Sequence, residues 1–441
     1  MNVAVIGCGY VGLTTGAALA WMGHRVYCAD RDPSVVGLLN DGKIHLYEPD
    51  LDRLVSSAAG AGRLRFTTST AEAIVGAEVA LVCAGTPSSP DGSADLSQVK
   101  DAYECIARAP GPRRGALVVA TKSTVPPGTC SSLAARYGSY GMRICSNPEF
   151  LREGTAVRDA LHPDRVVIGS DDPVSTQVLC ELYMSLGRPL FVVSPIEAEL
   201  IKYAANSFLA ARISFINEFA ELCEAVGADV TRVAAAAGAD PRIGASFMQA
   251  GIGFGGPCLP KDLKALVSAG RDHGVAMDIL EQVERRNSRQ RARAVERIAR
   301  ALGGLEGRIV AVWGVTFKPG AGDTRESPPV DVARVIMESG ASVRFYDPAV
   351  ETPVPGIEGA VCCDSPYEAV RGAHALALLT EWDEFRWVDW GLVRRLMEGD
   401  FVFDGRNALS PAVVRAMGFE YAGVGRRTGG TEFRHVHPGT P

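Results

Sequence analysis

The chain has 441 residues, 47% hydrophobic and 22% charged, with a formal net charge of −6. That balance belongs to a folded protein of two or three domains and speaks against a broad nucleic-acid surface, so anionic partners must be gripped locally. No apolar run reaches the roughly 20 residues that span a bilayer. The first residues lack a secretory signal, and the 11 cysteines include no C-x-x-C pair, a pattern expected of reduced thiols in a cytoplasmic protein without a thiolate metal site.

From Met1 to about Val193 short apolar strands alternate with helical stretches, the pattern of a parallel sheet with crossover helices. Strands are expected at Val3–Ile6, Arg25–Ala29, Val79–Cys83, Leu117–Thr121 and Val166–Ile168. Between the first two lies Gly7-Cys8-Gly9-Tyr10-Val11-Gly12, a G-x-G-x-x-G motif that follows a strand and opens a helix. Its glycines let backbone N–H groups and the helix dipole approach a pyrophosphate. Asp30 ends the second strand at the spacing of an acid that binds the adenosine ribose and repels a 2′-phosphate, which favours NAD over NADP despite the adjacent Arg31. Ser123-Thr124-Val125-Pro126-Pro127-Gly128 follows a strand at the edge where open α/β sheets bind ligands. Thr124 is there either a donor to a bound oxygen or a plain turn residue. Asn147-Pro148-Glu149-Phe150-Leu151-Arg152-Glu153-Gly154 puts two carboxylates four apart, which by themselves read as solvated caps near a helix start.

Ser194-Pro195-Ile196-Glu197 is a capping box. It opens a helix expected to reach Val226, with Gly227 as its stop and apolar positions at Leu200, Ala204, Phe208, Ile216 and Phe219. A helix this long connects domains or forms a subunit interface. Lys202 and Asn206 share one face of it, and the neighbours Ile201, Tyr203, Ala204, Ala205 and Phe208 imply a buried lysine that needs a partner or a chemical role. Five of the seven lysines (Lys122, Lys202, Lys261, Lys264, Lys318) fall in or beside these motifs, and arginine cannot replace lysine where a proton must be shed.

Gly251-Ile252-Gly253-Phe254-Gly255-Gly256-Pro257-Cys258-Leu259-Pro260-Lys261-Asp262 sets one cysteine between a glycine-rich loop and a helix start, with Pro260 suited to the first helical position. A thiol so placed beside an ammonium is a strong nucleophile at neutral pH. Asp262 follows closely enough to hold a water or take a proton. Cys83, Cys105, Cys180 and Cys223, in apolar surroundings, read as small core residues. More helix follows to about Leu302, and a second α/β unit begins at Arg308–Gly314, with a helix from Val330 to Ser339 and a strand at Ser342–Tyr346. The expected architecture is α/β: two Rossmann-like, doubly wound parallel-sheet domains (1–194 and 305–425) joined by a helical middle domain (195–304) that contains the long connecting helix. The Gly/Arg/His-rich tail, 426–441, reads as poorly ordered.

Taken in order, Gly7–Gly12, Ser123–Pro126, Asn147–Gly154, Pro163–Gly169, Lys202–Asn206, Gly251–Asp262 and Gly314–Ser327 make the chain similar to the UDP-glucose/GDP-mannose dehydrogenase family, up to about Ala422. Lys202–Asn206 and Pro163–Gly169 resemble its UDP-glucose branch more than its GDP-mannose branch. The resemblance implies oxidation of UDP-glucose to UDP-glucuronate by two NAD⁺ in succession, through a Cys258 thiohemiacetal and thioester. It implies catalytic roles for Cys258, for Lys202 at the developing alkoxide, for Asn206 at the oxyanion, and for Asp262, Thr124 and Glu149 in handling water and protons, with the first general base left unassigned. Contacts to NAD are implied for Gly7, Gly9, Tyr10, Val11, Gly12, Asp30, Thr86, Ser123, Thr124, Glu153, Lys261 and Arg325. Substrate contacts are implied for Glu149, Phe150, Leu151, Lys202, Asn206, Arg242, Phe247, Phe254, Gly255, Lys318 and Arg406, with Arg242 reaching a neighbouring subunit of a homodimer or higher homo-oligomer. No metal, nucleic acid or membrane partner is expected. Where the family often has a basic residue shortly after the ribose acid, this chain has Val35.

Three other readings stay open on the sequence. The substrate is another nucleotide hexose, such as GDP-mannose or a differently based glucose nucleotide. The chain is a nucleotide-binding regulator without turnover. Or it is a two-electron hydroxyacid dehydrogenase, which has no need of the cysteine.

Overall fold

Val3-Ala4-Val5-Ile6 and Val79-Ala80-Leu81-Val82 are apolar on both sides, as strands covered by helices on both faces must be. The computed structural model, which describes residues 1–109, 116–351 and 353–426, pairs them side by side in the first of two largely parallel sheets. The expected tail from residue 427 onward lies outside the described residues. By its internal contacts the chain divides into two compact units: Met1–Ser207 with Lys261–Met277, and Phe208–Pro260 with the chain from Asp278 onward.

The first unit runs β1 (Asn2–Ile6), α1 (Tyr10–Trp21), β2 (Arg25–Ala29), α2 (Pro33–Asn40), α3 (Leu51–Gly60), β3 (Leu64–Thr67), α4 (Thr70–Ala73), β4 (Val79–Val82), α5 (Ser97–Arg108), β5 (Leu117–Thr121), α6 (Thr129–Tyr137), β6 (Met142–Ser146), α7 (Ala156–Leu161), β7 (Val166–Gly169), α8 (Pro173–Tyr183) and β8 (Leu190–Val193). Its sheet has the order β3-β2-β1-β4-β5-β6-β7-β8, parallel except where Ser146 meets Gly169 between β6 and β7. The connection from β3 back to β4 makes the gap between β1 and β4 the switch point, where ligands bind in such sheets. Val3 and Val5 pack into one core layer and Ala4 and Ile6 into the other, as side chains alternate along a strand.

Strands β3, β6 and β8 were not expected from the sequence. Arg65 and Arg143 interrupt the apolar run in the first two. The third is an edge strand paired on one side only, and it leaves Phe191 and Val192 about half exposed. The thiols differ too: Cys223 is core, Cys83 and Cys180 are half-buried, and Cys105 on α5 is exposed.

Helix α9 spans Pro195–Val226, as its capping box predicts. Ser194 N–H donates to Glu197 Oε2 at 2.8 Å and Glu197 N–H returns a bond to Ser194 Oγ at 3.4 Å, and Gly227 stops the helix at φ +76°. Of its five expected apolar positions, only Ile216 is buried. Ala204, Leu200, Phe208 and Phe219 are exposed, while Ala198, Lys202, Tyr203, Ala210 and Ala220 turn inward.

The second unit holds the later part of α9, α10 (Val230–Gly238), all of α12 (Asp278–Leu302, after α11 at Leu259–Asp272) and a second sheet: β9 (Ile309–Trp313), α13 (Pro328–Glu338), β10 (Ser342–Tyr346), β11 (Val361–Cys362), α14 (Pro366–Val370), β12 (Ala375–Leu378), α15 (Trp390–Leu396), β13 (Phe401–Asp404), α16 (Pro411–Ala416) and β14 (Glu420–Gly423). Its order, β11-β10-β9-β12-β13-β14, repeats the doubly wound scheme with a switch point between β9 and β12. Among the described residues no helix is long and apolar enough to cross a membrane.

Candidate active site

The sequence motif after β1 becomes a tight turn. Gly7 has φ +102°, and a side chain on it would sit 2.8 Å from the carbonyl oxygen of Cys83, just past β4. A side chain on Gly12 would meet Gly7 O at 1.8 Å, whereas the space around Gly9 is open. No side chain caps α1 and its first turn, Tyr10-Val11-Gly12, carries no acid, so its N-terminus suits an anion. Asp30 directly follows β2, its Oδ2 accepting from Cys8 N–H at 2.6 Å and its Oδ1 from Asp32 N–H at 3.0 Å. A cleft of about 270 Å³ opens here, lined by Gly7, Gly9, Asp30, Gly85, Gln98 and Cys105 among others. An open glycine, an uncapped helix and an acid held at the ribose position fit a dinucleotide.

The loop after β5 is fixed by long-range bonds. Ser123 Oγ donates to Ala84 O at 2.6 Å, and the buried Thr86 hydroxyl donates to Thr124 O at 3.0 Å. From α9, Glu199 accepts from Gly128 N–H at 2.6 Å and Cys130 N–H at 2.8 Å. Burial pushes the Glu199 carboxyl upward, against these N–H groups, which favour its charge.

Glu149 is not a solvated cap. The nearest helix begins seven residues later at Ala156, and Glu149 is buried against α9, where Lys202 Nζ donates to its Oε1 at 3.0 Å. Leu151 N–H donates to Glu149 Oε2 at 2.5 Å, and both Arg165 and Lys202 face the Phe150 ring, 3.7 and 5.3 Å from its centre. With side chains only 5% and 8% exposed, breaking this pair by removing one partner costs about 3–5 kcal/mol. Asn147 leads into this turn, its Oδ1 accepting from Lys122 Nζ at 3.1 Å and from Tyr183 O–H at 2.7 Å. At the far end Gly154 N–H is shared by Tyr10 Oη at 2.9 Å and Glu48 Oε2 at 2.5 Å, which leaves Glu153 half-buried between fixed points.

One turn of α9 beyond Lys202, Asn206 Nδ2 donates to Asp262 Oδ2 at 2.6 Å. Lys261 Nζ bridges Asp262 Oδ1 at 2.6 Å and Thr86 Oγ1 at 3.2 Å. Asp262 is 1% exposed, and its two oxygens are taken up by the Asn206 amide and the Lys261 ammonium. The first unit thus brings together Thr86, Thr124, Glu149, Phe150, Leu151, Lys202, Asn206, Lys261 and Asp262.

In the second unit Cys258 is exposed, in the turn directly before α11, which starts at Leu259 and makes Pro260 its second residue rather than its first. The loop Gly251–Gly256 before it is buried. A side chain on Gly255 would sit 2.1 Å from Glu326 O and 2.4 Å from the Pro328 ring, so only glycine fits. Arg406 is not a surface charge: its guanidinium donates to Leu379 O at 2.9 Å, Gly253 O at 3.0 Å and Phe317 O at 3.2 Å. Lys318 lies over the Phe317 ring, 5.4 Å from its centre. Arg325 pairs with Asp323, and Arg242 is exposed and paired with Asp240 at 2.6 Å. Phe247 is half-buried in a turn with φ +60°.

Several residues that shape these sites carried no sequence signal. Glu48 closes on Gly154 across 106 residues, and Glu199, Asn217, Asn287 and Gln290 are polar residues whose partners are far away in sequence. Asn217 follows the apolar Phe215 and Ile216, a weak hint, whereas Asn287 and Gln290 sit in the polar run Arg285–Arg291 and gave none.

Three family models match the chain: the NAD binding domain of the UDP-glucose/GDP-mannose dehydrogenase family over residues 1–187, its central domain over 196–289 and its UDP binding domain over 311–411. The chain is 42% identical to a UDP-glucose 6-dehydrogenase of Pseudomonas aeruginosa over 98% of each chain. The structure of a UDP-glucose dehydrogenase from the archaeon Pyrobaculum islandicum superposes with a TM-score of 0.90 at 38% identity, covering 96% of this chain and 97% of that one. A UDP-D-ManNAc dehydrogenase from Pyrococcus horikoshii gives 0.86 at 30% identity, covering 97% and 99%.

Proposed function

Because the chain belongs to the UDP-glucose/GDP-mannose dehydrogenase family and is thereby an NAD-dependent nucleotide-sugar dehydrogenase, we propose that its substrate is UDP-glucose and its product UDP-glucuronate. The observation that carries the catalytic part is the burial of Lys202 against Glu149, with Asn206 one turn on holding Asp262. So many charged and amide groups in one buried cluster are costly to a structure that makes no use of them. For the sugar, the support is the 42% and 38% identity to two proteins named for UDP-glucose, against 30% to one named for UDP-D-ManNAc.

When bound, NAD⁺ supplies a two-electron acceptor for each oxidation, and the proposed stoichiometry is two per sugar. Gly7–Gly12 and Asp30 would hold its phosphates and ribose, with Thr86, Ser123, Thr124, Glu153, Lys261 and Arg325 completing the contacts. In the proposed chemistry Lys202 stabilises the alkoxide forming at C6 and Asn206 the oxyanion. Cys258 Sγ then bonds to the C6 aldehyde carbon as a thiohemiacetal, whose oxidation leaves a thioester. Water, oriented by Asp262, Thr124 and Glu149, attacks the acyl carbon, releases the uronate and restores the thiol. Phe150, Leu151, Arg242, Phe247, Phe254, Gly255, Lys318 and Arg406 are assigned to the sugar and diphosphate.

We read the functional segments as 1–194, 195–304 and 305–425, and the working form as a homodimer. Support for the dimer comes from Phe208, Phe215, Phe219, Leu222 and Val226, which lie along one side of α9 and are 37–68% exposed, an apolar stripe that water does not favour. The test is an assay with NAD⁺ and a panel of UDP-glucose, UDP-N-acetylmannosamine and GDP-mannose. The expected result is a kcat/KM for UDP-glucose at least about a hundredfold above the others, the discrimination open to a site that hydrogen-bonds its substrate. Preference for either other sugar nucleotide contradicts the proposal.

A further inference from the structure

The loop Gly251–Gly256 is buried yet forms neither helix nor strand, so its peptide groups must each find a hydrogen-bond partner outside a helix or sheet ladder. In the second unit Ile252 N–H and Gly256 N–H donate to the carbonyls of Gly405 and Glu326, while Gly251 and Phe254 are held by amides on two helices. Asn217 Oδ1 on α9 accepts from Gly251 N–H at 2.9 Å, and Gln290 Nε2 on α12 donates to Gly251 O at 2.9 Å. Asn287, also on α12, closes both ends of one residue: its Oδ1 accepts from Phe254 N–H at 2.8 Å and its Nδ2 donates to Phe254 O at 2.9 Å. Arg291 adds a bond to Phe254 O at 3.1 Å. These amides are 1–5% exposed, so water cannot take their place. Cys258 follows Phe254 by four residues.

We propose that Asn287 is a positioning residue for the nucleophile, its two-point clasp on Phe254 fixing the loop that presents Cys258. The inference rests on the reading of Cys258 as the group that captures the aldehyde. Only an amide side chain of this length offers a donor and an acceptor matched to both backbone groups of one residue. An aspartate would keep the acceptor for Phe254 N–H but set a carboxylate oxygen against Phe254 O. Formation of the aldehyde does not need the thiol, whereas bond formation between Sγ and C6 does. A loosened loop therefore slows the second oxidation more than the first, and a displacement of about 1 Å is enough for a roughly hundredfold loss.

The test uses the full-length protein with Asn287→Asp, Asn287→Ser and Cys258→Ala. Each is supplied separately with UDP-glucose and with the synthetic 6-aldehyde, both with NAD⁺, and released aldehyde is trapped with a hydrazine. For Asn287→Asp the expected result is NAD affinity within about twofold of the parent and aldehyde oxidation at least tenfold slower. Trapped aldehyde should rise from UDP-glucose, and lowering the pH should bring partial recovery relative to the parent as the neutral acid regains a donor. Asn287→Ser, whose hydroxyl is one bond too short for the clasp, is expected to slow aldehyde oxidation and release aldehyde without any recovery at low pH, and serves if the aspartate variant does not fold. A role in stability alone would lower the melting temperature without changing the ratio of the two oxidations. Parental aldehyde oxidation in a folded Asn287 variant overturns the clasp, provided Cys258→Ala is inactive with aldehyde. Full aldehyde oxidation by Cys258→Ala instead overturns the nucleophile reading on which the clasp depends.

Discussion

The two sheets share a plan and differ at their switch points. After β1 the chain turns at Gly7 against Cys83, and after β9 it turns at Gly314, φ +87°, where a side chain would sit 2.3 Å from Thr380 Cβ, two residues past β12. In each case an acid beyond the second strand accepts a hydrogen bond from the residue after that glycine: Asp30 from Cys8 N–H at 2.6 Å and Asp347 from Val315 N–H at 2.8 Å. There the likeness stops. Helix α1 follows Gly9 at once and is uncapped, whereas α13 waits until Pro328, behind a long loop that carries Lys318 and Arg325. Asp30 is half-buried, while Asp347 is 3% exposed and its Oδ2 also takes Thr316 N–H at 3.0 Å and Thr316 O–H at 2.9 Å. One switch point leaves its helix end uncapped and its acid half-buried. The other uses its acid to build the loop that carries Lys318 and Arg325.

The comparison breaks most visibly at the glycines. Gly12→Ala, forced against Gly7 O, is expected to abolish NAD binding and to cost about 4 kcal/mol or more of stability. Gly9→Ala, in open space, should melt like the parent yet bind NAD roughly tenfold more weakly, about 1.4 kcal/mol. Calorimetric titration and thermal melts check both, and equal behaviour of the two variants would refute the assignment of the open glycine to a phosphate.

The acids should separate next. Asp347→Asn sets its NH2 against a donor whichever way the amide turns, the four donors at Oδ2 or Ala349 N–H at Oδ1, and is expected to cost about 2–3 kcal/mol while leaving NAD affinity unchanged. Asp30→Asn should do the opposite, weakening NAD with a stability change below about 1 kcal/mol. Denaturant melts and NAD titrations decide, and a reversed pattern would erase the distinction between the two switch points.

The smallest effect lies in the ladder joining α9 to α12, where Glu221 and Glu224 meet Arg286, Arg289, Arg293 and Arg297 at 2.5–2.9 Å. Burial pushes the Glu221 carboxyl up, but the Arg286 hydrogen bond and the charges of Arg293, Arg286 and Arg289 outweigh it and hold the group below the usual carboxylate range. A lowered carboxylate contributes stability above its unfolded value of about 4.3 and loses it as the pH falls through the folded value. The parent should therefore lose more stability than Glu221→Gln between about pH 5 and pH 3. Melts across that range test this, and parallel curves would contradict it.

How much could be read from the chain follows the same divide. The turn at Gly7–Gly12, the capping box at Ser194 and the burial of Lys202 are local patterns, each written within a few consecutive residues or one helical turn. Strands β3, β6 and β8 were hidden because arginines or an edge position broke their apolar runs. The amide clasp of Asn287 and the carboxylate of Glu48 were illegible because their partners lie 33 and 106 residues away. Phe208 and Phe219 misled because an apolar position on a helix does not say whether its cover is the chain's own core.

The claim at the centre of this account is that Cys258 carries the sugar between two oxidations. NADH formed per uronate released, followed in the parent and in Cys258→Ala by coupled absorbance and product analysis, tests it most directly. The account predicts two NADH per uronate in the parent and no uronate from the variant despite retained NAD binding. A single NADH per product, or uronate made at the parental rate without the thiol, would contradict it.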